Sequence, residues 1–427
     1  KVLSAEGTPA VPIFWAATED HDFEEVASTS VIGGDGNAAS VRYDAKDRIA
    51  ESQVGSIVLD ANISDAIRDV LADLPRTEFS DSVEEMISQA WEPGRNFGTA
   101  FLVQMAAIFR PFGLVFVDPQ NIKLKQLSGP IYREAIRLAD EIVPKIAARS
   151  RELVADGYHA QVLVEDEYFP LFWQTDGGVR TAIRRTDEGT YRSKADKREF
   201  ATADLIKIAE NEPGRLSPGV MLRPVVQDYL FPTICYFGGG AEIAYFAQNS
   251  VVYESLGRPV TPVLHRQSFT VIESRHERTL NDLDLKFADL FAGIESFLPA
   301  LIEKQISPDT ARLFANVEER IDGELDRLDQ HLSVLDVTLA ANLAKRRRKM
   351  IYHIQALRKK AFRAELQKNE TINARVSAAF SSLYPNGHLQ ERGINVVTFL
   401  NKYGPNFVEW LYNAIDLDDR GHRLIHL

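Results

Sequence analysis

Cysteine is almost absent from this sequence of 427 residues, and long uninterrupted hydrophobic stretches are absent altogether. The single cysteine, Cys235, excludes an intramolecular disulfide and fits a reducing compartment. No stretch approaches the roughly 18 apolar residues that a membrane-spanning helix needs, and the first residues do not read as a signal peptide. We therefore expect a cytoplasmic protein that does not associate with a membrane.

Positive charge is also scarce. Lysine and arginine together number 49 against 61 acidic residues, which gives a formal net charge of −12. A chain with this balance binds nucleic acid and anionic membranes poorly, so we expect neither as a partner. Hydrophobic residues make up 45% of the sequence, which excludes a disordered chain and allows two or three domains, each with its own core.

Residues 1–157 are predicted to form the first part of an α/β core. Apolar runs at residues 11–15 and 114–117 predict two short buried strands. Capping residues and hydrophobic periodicity predict helices at residues 62–74, 80–91, 97–109 and 131–155.

Residues 158–219 differ in character, because glycine-containing turns separate short alternating segments. This pattern predicts a small β-rich insertion. Residues 220–300 are predicted to return to the core, with a strand at 233–237, a helix at 241–256 and a strand at 260–264. Such a strand–helix–strand unit favours a parallel sheet, whose ligands bind at the carboxyl ends of the strands.

Residues 301–380 contain one proline, Pro308, and leucines recur there at spacings of three and four. This pattern predicts an α-helical coiled coil. A helix of about 50 residues would extend roughly 75 Å, so it must pair with another helix. A helix at residues 283–305 and a second subunit are both candidates. Residues 381–427 are predicted to fold back on the core.

The strongest candidate for a chemical centre directly follows the first predicted strand. Glu19, Asp20, His21 and Asp22 place three carboxylates around one imidazole, an arrangement that favours the protonated ring. This acidic run (residues 19–22) can bind a substrate amine, take a proton from it or hold Mg²⁺. Alternatively, it is a solvated loop that caps the next helix. Its position at the end of a buried strand favours the functional interpretation.

A run of three glycines at residues 238–240 precedes the predicted helix of the second core segment. The backbone N–H groups of Gly239 and Gly240 can hold a phosphate at the helix N-terminus, although a tight turn is an equally good explanation. Glu242 lies in the first turn of that helix. It either faces a ligand or complements the helix dipole.

Three further residues adjoin predicted strands. Gln227 and Asp228 can hydrogen-bond a polar substrate or can belong to a helix-to-strand turn. Arg266 can pair with a carboxylate or phosphate, although a surface arginine is the commoner case. His422 and His426 have a spacing that suits a metal, but no third ligand is visible, so we expect no tightly bound metal.

Several motifs also carry a family resemblance. They occur in this order: Val11-Pro12-Ile13-Phe14-Trp15 with the acidic run, then Arg-Pro-Val-Val-Gln-Asp at 223–228, Gly-Gly-Gly-Ala-Glu-Ile-Ala-Tyr at 238–245, Arg258-Pro259, and Phe-Leu-Asn-Lys-Tyr-Gly-Pro at 399–405. Together they resemble the cysteine ligases of bacillithiol biosynthesis, the BshC family, over essentially the whole chain. That family begins with a strand and a Gly-Gly-Gln-Gln loop that this sequence lacks, so we expect the sequence to be a fragment.

The resemblance implies a Rossmann-like core related to class I nucleotidyl-transfer enzymes, with connecting insertions, a coiled-coil domain and a homodimer. The implied reaction joins the carboxyl group of cysteine to the amine of glucosaminyl malate. Such a carboxyl group must be activated, and ATP with Mg²⁺ can do so. The alternatives are another enzyme of the same scaffold, which activates a different carboxylate or transfers a nucleotidyl group, and an inactive coiled-coil scaffold.

Under this hypothesis, the acidic run supplies the catalytic group. His21 acts as a base facing the amine or contacts a phosphate, while Asp20 and Asp22 orient the amine or a Mg²⁺ ion. Glu19 completes this group. Asp228 and Glu242 are expected to contact the polar substrate.

Overall fold

The structure is a computed structural model that describes residues 5–294, 296, 308–368 and 370–427. The chain divides into two compact units, which we call the core unit and the helical unit. The core unit comprises Lys1–Val31, Ser40–Ser268 and Val396–Arg423. The helical unit comprises Ile32–Ala39, Phe269–Asn395 and Leu424–Leu427.

The first part of the chain alternates strands and helices. The strands are β1 (Ile13–Trp15), β2 (Ser28–Ile32), β3 (Ala38–Arg42) and β4 (Val115–Val117). The helices are α1 (Asn62–Asp73), α2 (Ser80–Ala90), α3 (Phe97–Phe109), α4 (Ile122–Arg137) and α5 (Ala139–Ala155). β1 and β4 pair in parallel, with Ile13 opposite Val115 and Trp15 opposite Val117. Their carboxyl ends therefore lie side by side. The prediction that both strands are buried is wrong for most of their length, because Ile13, Phe14 and Val115 are 40%, 37% and 44% exposed.

The helix predicted at residues 131–155 is in fact two helices, α4 and α5, which meet at Leu138. Leu138 has φ −98° and ψ 7°, outside the range of a regular helix. The hydrophobic periodicity hid this bend because both helices bury side chains in the same cluster, among them Ile136 and Ile142.

Residues 158–219 contain a five-stranded antiparallel sheet, which we call the insertion sheet. Its strands are β5 (Leu171–Gln174), β6 (Arg180–Arg185), β7 (Tyr191–Ser193), β8 (Glu199–Phe200) and β9 (Leu216–Pro218), in the order β8-β7-β6-β5-β9. A helix that the sequence analysis did not predict, α6 (Thr202–Asn211), precedes β9. Trp173 and Ile183 of the sheet join the buried cluster that also holds α4 and α5.

The second part of the core unit supplies the predicted strand–helix–strand arrangement. Its elements are α7 (Arg223–Leu230), β10 (Tyr236–Gly238), α8 (Gly240–Ser255) and β11 (Val263–His265). β10 and β11 pair in parallel, with Tyr236 opposite Val263. β10 starts three residues later than predicted, because the N–H of Thr233 is bound by Asp228 Oδ1 at 3.1 Å. The α/β class is confirmed.

The helical unit is dominated by two long helices. From Ser268 onward the chain forms β12 (Ser268–Ile272), α9 (Ser274–Asp282), α10 (Pro308–Leu335), α11 (Val337–Lys368), α12 (Glu370–Leu383), α13 (Gln390–Gly393), α14 (Val397–Tyr403), α15 (Asn406–Asn413) and β13 (His422–His426). Of these, α14 and α15 belong to the core unit. Among the helices of the described residues, none has the length and apolar character needed to cross a membrane.

The prediction of one continuous coiled-coil helix is wrong, because the helix breaks at Asp336 and the chain reverses. α10 and α11 pack against each other as an antiparallel hairpin, joined by ion pairs from Arg347 to Asp322 at 2.6 Å and to Asp326 at 2.5 Å. The first candidate partner, a helix at residues 283–305, is not continuous, because residues 283–293 form turns and a short 3-10 helix, Phe287–Ala292. Residues 295 and 297–307 lie outside the described residues.

Candidate active site

The loops that follow β1 and β4 meet at the carboxyl ends of the two strands. Thr18 donates a hydrogen bond from Oγ1 to Oδ1 of Asp118 at 2.6 Å, and the backbone N–H of Gln120 donates to the same oxygen at 3.0 Å. A Cβ atom at Gly55 would lie 2.5 Å from Cβ of Thr18, so only glycine fits this close approach. These contacts fix the start of the acidic run.

Glu19 points into the protein and not toward a ligand. Its carboxylate forms an ion pair with Lys125 of α4, and the side chains of the two residues are only 8% and 5% exposed. Lys125 also donates to the carbonyl oxygen of Leu216 at 2.7 Å. The pKa of Tyr132 is raised well above its ordinary value, mainly by burial and secondly by the negative charge of Glu19. Glu19 therefore anchors the acidic run to α4 and to β9.

The next three residues of the run face outward. The side chain of Asp20 is 54% exposed, and its backbone oxygen accepts a hydrogen bond from the N–H of Val54 at 2.7 Å. His21 is 39% exposed. Asp22 is exposed at the start of the 3-10 helix Phe23–Glu25, where its side chain makes no capping hydrogen bond within the described residues. Helix capping by Asp22 therefore does not explain the run.

Arg180, the first residue of β6, brings a buried positive charge to this point. Its side chain is 7% exposed, and Nη1 lies 3.1 Å from Nδ1 of His21 and 3.9 Å from Oδ1 of Asp20. Nε donates to Oγ of Ser217 at 2.9 Å, and the guanidinium carbon lies 3.8 Å from the ring centroid of Phe172. The insertion sheet thus forms one side of the candidate site.

Sequence reasoning missed Arg180. It is separated from His21 by 159 residues, and nothing in its immediate sequence relates it to the acidic run. The backbone makes the connection, because the N–H of Arg180 donates to the carbonyl oxygen of Glu51 at 2.9 Å. Burial lowers the pKa of Arg180, while the charges of Glu19 and Asp20 partly offset this effect.

The glycine-rich turn before α8 is occupied by a protein carboxylate. Glu242 accepts a hydrogen bond from the N–H of Gly239 at 2.8 Å and another from the hydroxyl of Tyr236 at 2.7 Å. A Cβ atom at Gly238 would lie 2.9 Å from Cβ of Glu242. This geometry is that of a tight, internally capped turn, in which Glu242 complements the helix N-terminus next to Gly240.

The other predicted contacts belong to α7 and to the residue after β11. Asp228 is buried and pairs with Arg258, whose Nη2 lies 2.7 Å from Oδ2, so its carboxylate is used within the fold. Gln227 is buried one position earlier on α7. Arg266 follows β11, and its N–H donates to the carbonyl oxygen of Gly238 at 2.9 Å, which places it at the end of the second parallel pair.

Arg223 connects the two groups of residues electrostatically. Its Nη2 donates to the hydroxyl of Tyr245 at 3.3 Å. Burial alone would lower the pKa of Arg223, but Tyr245, Tyr236 and the charge of Asp20 raise it above its ordinary value. The charge of Arg223 in turn acts on Arg180. The charges of Arg223, Arg180 and Asp20 therefore influence one another.

The donor set of this region fits an anionic group. Guanidinium groups such as those of Arg180 and Arg223 bind carboxylate and phosphate oxygens, which both substrates of the expected reaction and a nucleotide carry. Over the residues that the structure describes, no group of three or more histidine, cysteine, aspartate or glutamate side chains is arranged to hold a metal ion.

Comparison with known proteins agrees with this architecture. The family model for the N-terminal Rossmann-like domain of bacillithiol biosynthesis BshC matches residues 3–267, and the model for its C-terminal coiled-coil domain matches residues 269–427. The chain belongs to the BshC family. This membership confirms the predicted Rossmann-like core and coiled-coil domain, and it identifies the chain as a ligase.

Individual BshC relatives are similar over almost the whole chain. A protein of Salinibacter ruber named "Putative cysteine ligase BshC" is 33% identical over 420 residues, covering 98% of this chain and 76% of that protein. A protein of the same name from Solibacter usitatus is 32% identical and covers 100% of this chain and 79% of its own length. One from Geobacillus thermodenitrificans is 28% identical, with 99% and 78% covered.

Proposed function

We propose that this BshC protein joins the carboxyl group of L-cysteine to the amine of glucosaminyl malate in the last step of bacillithiol biosynthesis, and that it uses ATP to activate the carboxyl group. The name of its relatives, cysteine ligase, supports cysteine as a substrate. The observation that carries the proposal is the arrangement at the end of β1. There His21 and Asp20 are exposed beside the buried guanidinium of Arg180.

The chemistry sets three requirements for the site. ATP supplies the phosphoryl or adenylyl group that makes the cysteine carboxyl reactive, with Mg²⁺ bound to its phosphates. The site must then hold anionic oxygens, keep the amine in attack geometry and exclude water. Arg180 and Arg223 supply positive charge for the first requirement. The exposed carboxylates of Asp20 and Asp22 suit the second, because a carboxylate binds an amine and can accept its proton.

The remaining predicted residues receive different proposed roles. Arg266, at the end of β11, contacts an anionic part of a substrate, and Gln227 and the N–H of Gly240 contact its polar groups. Glu19, Asp228 and Glu242 position the site through their partners within the protein, because each carboxylate is already bound by a side chain or backbone group.

The proposal is tested by incubating the purified full-length protein with ATP, Mg²⁺, cysteine and glucosaminyl malate in a reducing buffer at cytoplasmic pH. We expect bacillithiol to form, detected by thiol labelling and mass spectrometry, with one AMP or ADP released per amide. Serine in place of cysteine is the matched control. Consumption of ATP with a different carboxylic acid and no bacillithiol would instead indicate another carboxylate-activating enzyme. No turnover of any kind would indicate an inactive scaffold.

We also propose that the protein is a homodimer through the hairpin of α10 and α11. Large apolar side chains remain exposed on both helices even after they have packed against each other. These are Leu313 (62%), Val317 (39%), Leu328 (45%), Leu339 (47%), Met350 (39%) and Leu357 (61%). Leu339, Met350 and Leu357 recur at spacings of eleven and seven, so they lie on one side of α11. A second copy of this hairpin would cover them.

A further inference from the structure

The guanidinium of Arg180 is held in one orientation by the insertion sheet. Its plane lies over Phe172, with 3.8 Å from the guanidinium carbon to the ring centroid. Nε donates to Ser217 and Nη2 donates to the carbonyl oxygen of Pro218 at 3.4 Å. A side chain fixed by stacking and by two hydrogen bonds cannot reorient freely, so the direction of the remaining N–H groups is set by the fold.

One of those N–H groups points at His21. Nη1 of Arg180 lies 3.1 Å from Nδ1 of the imidazole, within hydrogen-bond distance. Arginine carries donors only and stays charged, so Nδ1 of His21 must be the acceptor. A neutral imidazole that accepts at Nδ1 carries its proton on Nε2. A doubly protonated ring would place two positively charged donors against each other.

The other nitrogen of the ring is not among the buried, unpartnered polar atoms of the described residues, so it is accessible. The side chain of His21 is 39% exposed, and Nε2 has no hydrogen-bond partner among the described residues. The nearest carboxylate is that of Asp20. Its Oδ1 approaches Nδ1, at 4.0 Å, on the side of the ring that Arg180 also contacts. The accessible nitrogen of His21 therefore offers an N–H donor, and not a lone pair.

We propose that His21 acts as a neutral hydrogen-bond donor through Nε2 to an anionic oxygen of a substrate, and that Arg180 is the positioning residue that fixes this tautomer. This inference rests on the proposed function for the identity of the substrates, but not for the tautomer. It replaces the role of general base for His21, because a base needs an unprotonated nitrogen facing the amine. The oxygen belongs to a phosphate or to a carboxylate, which share this recognition chemistry.

The first test reads the tautomer directly, without substrate. Nitrogen-15 NMR of the histidine side chains, assigned through a His21→Gln variant, separates the protonated from the unprotonated ring nitrogen. We expect His21 in the wild-type protein to carry its proton on Nε2 only, and Arg180→Met to yield a mixture of tautomers. Arg192→Met, which removes an exposed arginine of the same sheet, should leave the His21 signals unchanged. A proton on Nδ1 in the wild type would overturn the proposal.

The second test compares two amide side chains at position 21 in the bacillithiol assay. In His21→Gln the amide nitrogen reaches the place of Nε2, whereas in His21→Asn it reaches only the place of Nδ1. Loss of a hydrogen bond to a charged group predicts about 10- to 100-fold lower kcat/KM for His21→Asn, with His21→Gln at least about tenfold more active than His21→Asn. Equal losses in the two variants would overturn the donor role. The exposed His159→Gln is the control and should match the wild type.

The kinetic constants also identify the source of the oxygen. If His21→Asn raises the KM for ATP, the oxygen belongs to a phosphate. If His21→Asn raises the KM for cysteine or for glucosaminyl malate, the oxygen belongs to a carboxylate. A kcat that falls alone places the contact in the transition state. Each of these results supports a donor. If the protein forms no bacillithiol, the proposed function fails while the tautomer measurement stands on its own, so the two failures are distinguishable.

Discussion

The buried ion pair between Glu19 and Lys125 makes a quantitative prediction about stability. Both side chains are less than a tenth exposed, so Lys125→Met leaves the carboxylate of Glu19 buried without its counter-charge. Removing one partner of a buried pair costs about 3–5 kcal/mol, and the carbonyl oxygen of Leu216 also loses its donor. We expect the free energy of unfolding of the core unit to fall by this amount.

Tryptophan fluorescence during urea unfolding is a suitable assay, because Trp15, Trp91, Trp173 and Trp410 all lie in the core unit. Its signal therefore reports the unfolding of that unit and not of the helical unit. The control is Lys123→Met, two residues earlier on α4 and exposed, for which we expect a change of less than about 0.5 kcal/mol.

A second substitution tests the cause. Adding Glu19→Gln to Lys125→Met removes the buried carboxylate that has lost its counter-charge. Much of the lost stability should therefore return, because the unpaired carboxylate causes most of the loss. The reasoning is refuted if Lys125→Met costs less than about 1 kcal/mol, or if the second substitution destabilises the protein further.

Three further outcomes are expected. Replacing Met350 and Leu357 by glutamate should convert the dimer to a monomer, as measured by light scattering at micromolar protein concentration. An unchanged molar mass would exclude this interface. Burial by itself would raise the pKa of Asp196, but hydrogen bonds from Ser193 and Trp173 lower that pKa below its ordinary value. The stabilisation by Asp196 is therefore present above the ordinary pKa of an aspartate and is lost as the pH falls through the lowered pKa. The stability difference between wild type and Asp196→Asn should therefore shrink in acid. Burial raises the pKa of Cys235, so thiol reagents should label it slowly at pH 7.

Local sequence patterns were sufficient for the elements that position the site. The apolar runs that became β1 and β4 are short and end in polar residues, so the positions of both strands were predictable, although their exposure was not. The parallel pairing of β10 with β11 followed from the helix between them.

Two features were not predictable, for different physical reasons. The reversal at Asp336 contains neither glycine nor proline, and Leu335 and Leu339 continue the leucine pattern across it although both are exposed. The hydrophobic periodicity of a helix thus continues in the sequence across the point where the backbone turns. The contact between Arg180 and His21 depends on the docking of the insertion sheet, which is a tertiary event with no local signal.

The backbone hydrogen bond between Arg180 and Glu51 has a thermodynamic consequence. The same residue that fastens β6 to the loop before α1 also touches His21, so occupancy of the site and docking of the sheet are linked equilibria. Linkage is reciprocal, and a ligand that favours the docked sheet must be favoured by docking to the same extent. Slower hydrogen exchange at the amides of β6 on addition of a ligand is therefore a measure of ligand affinity.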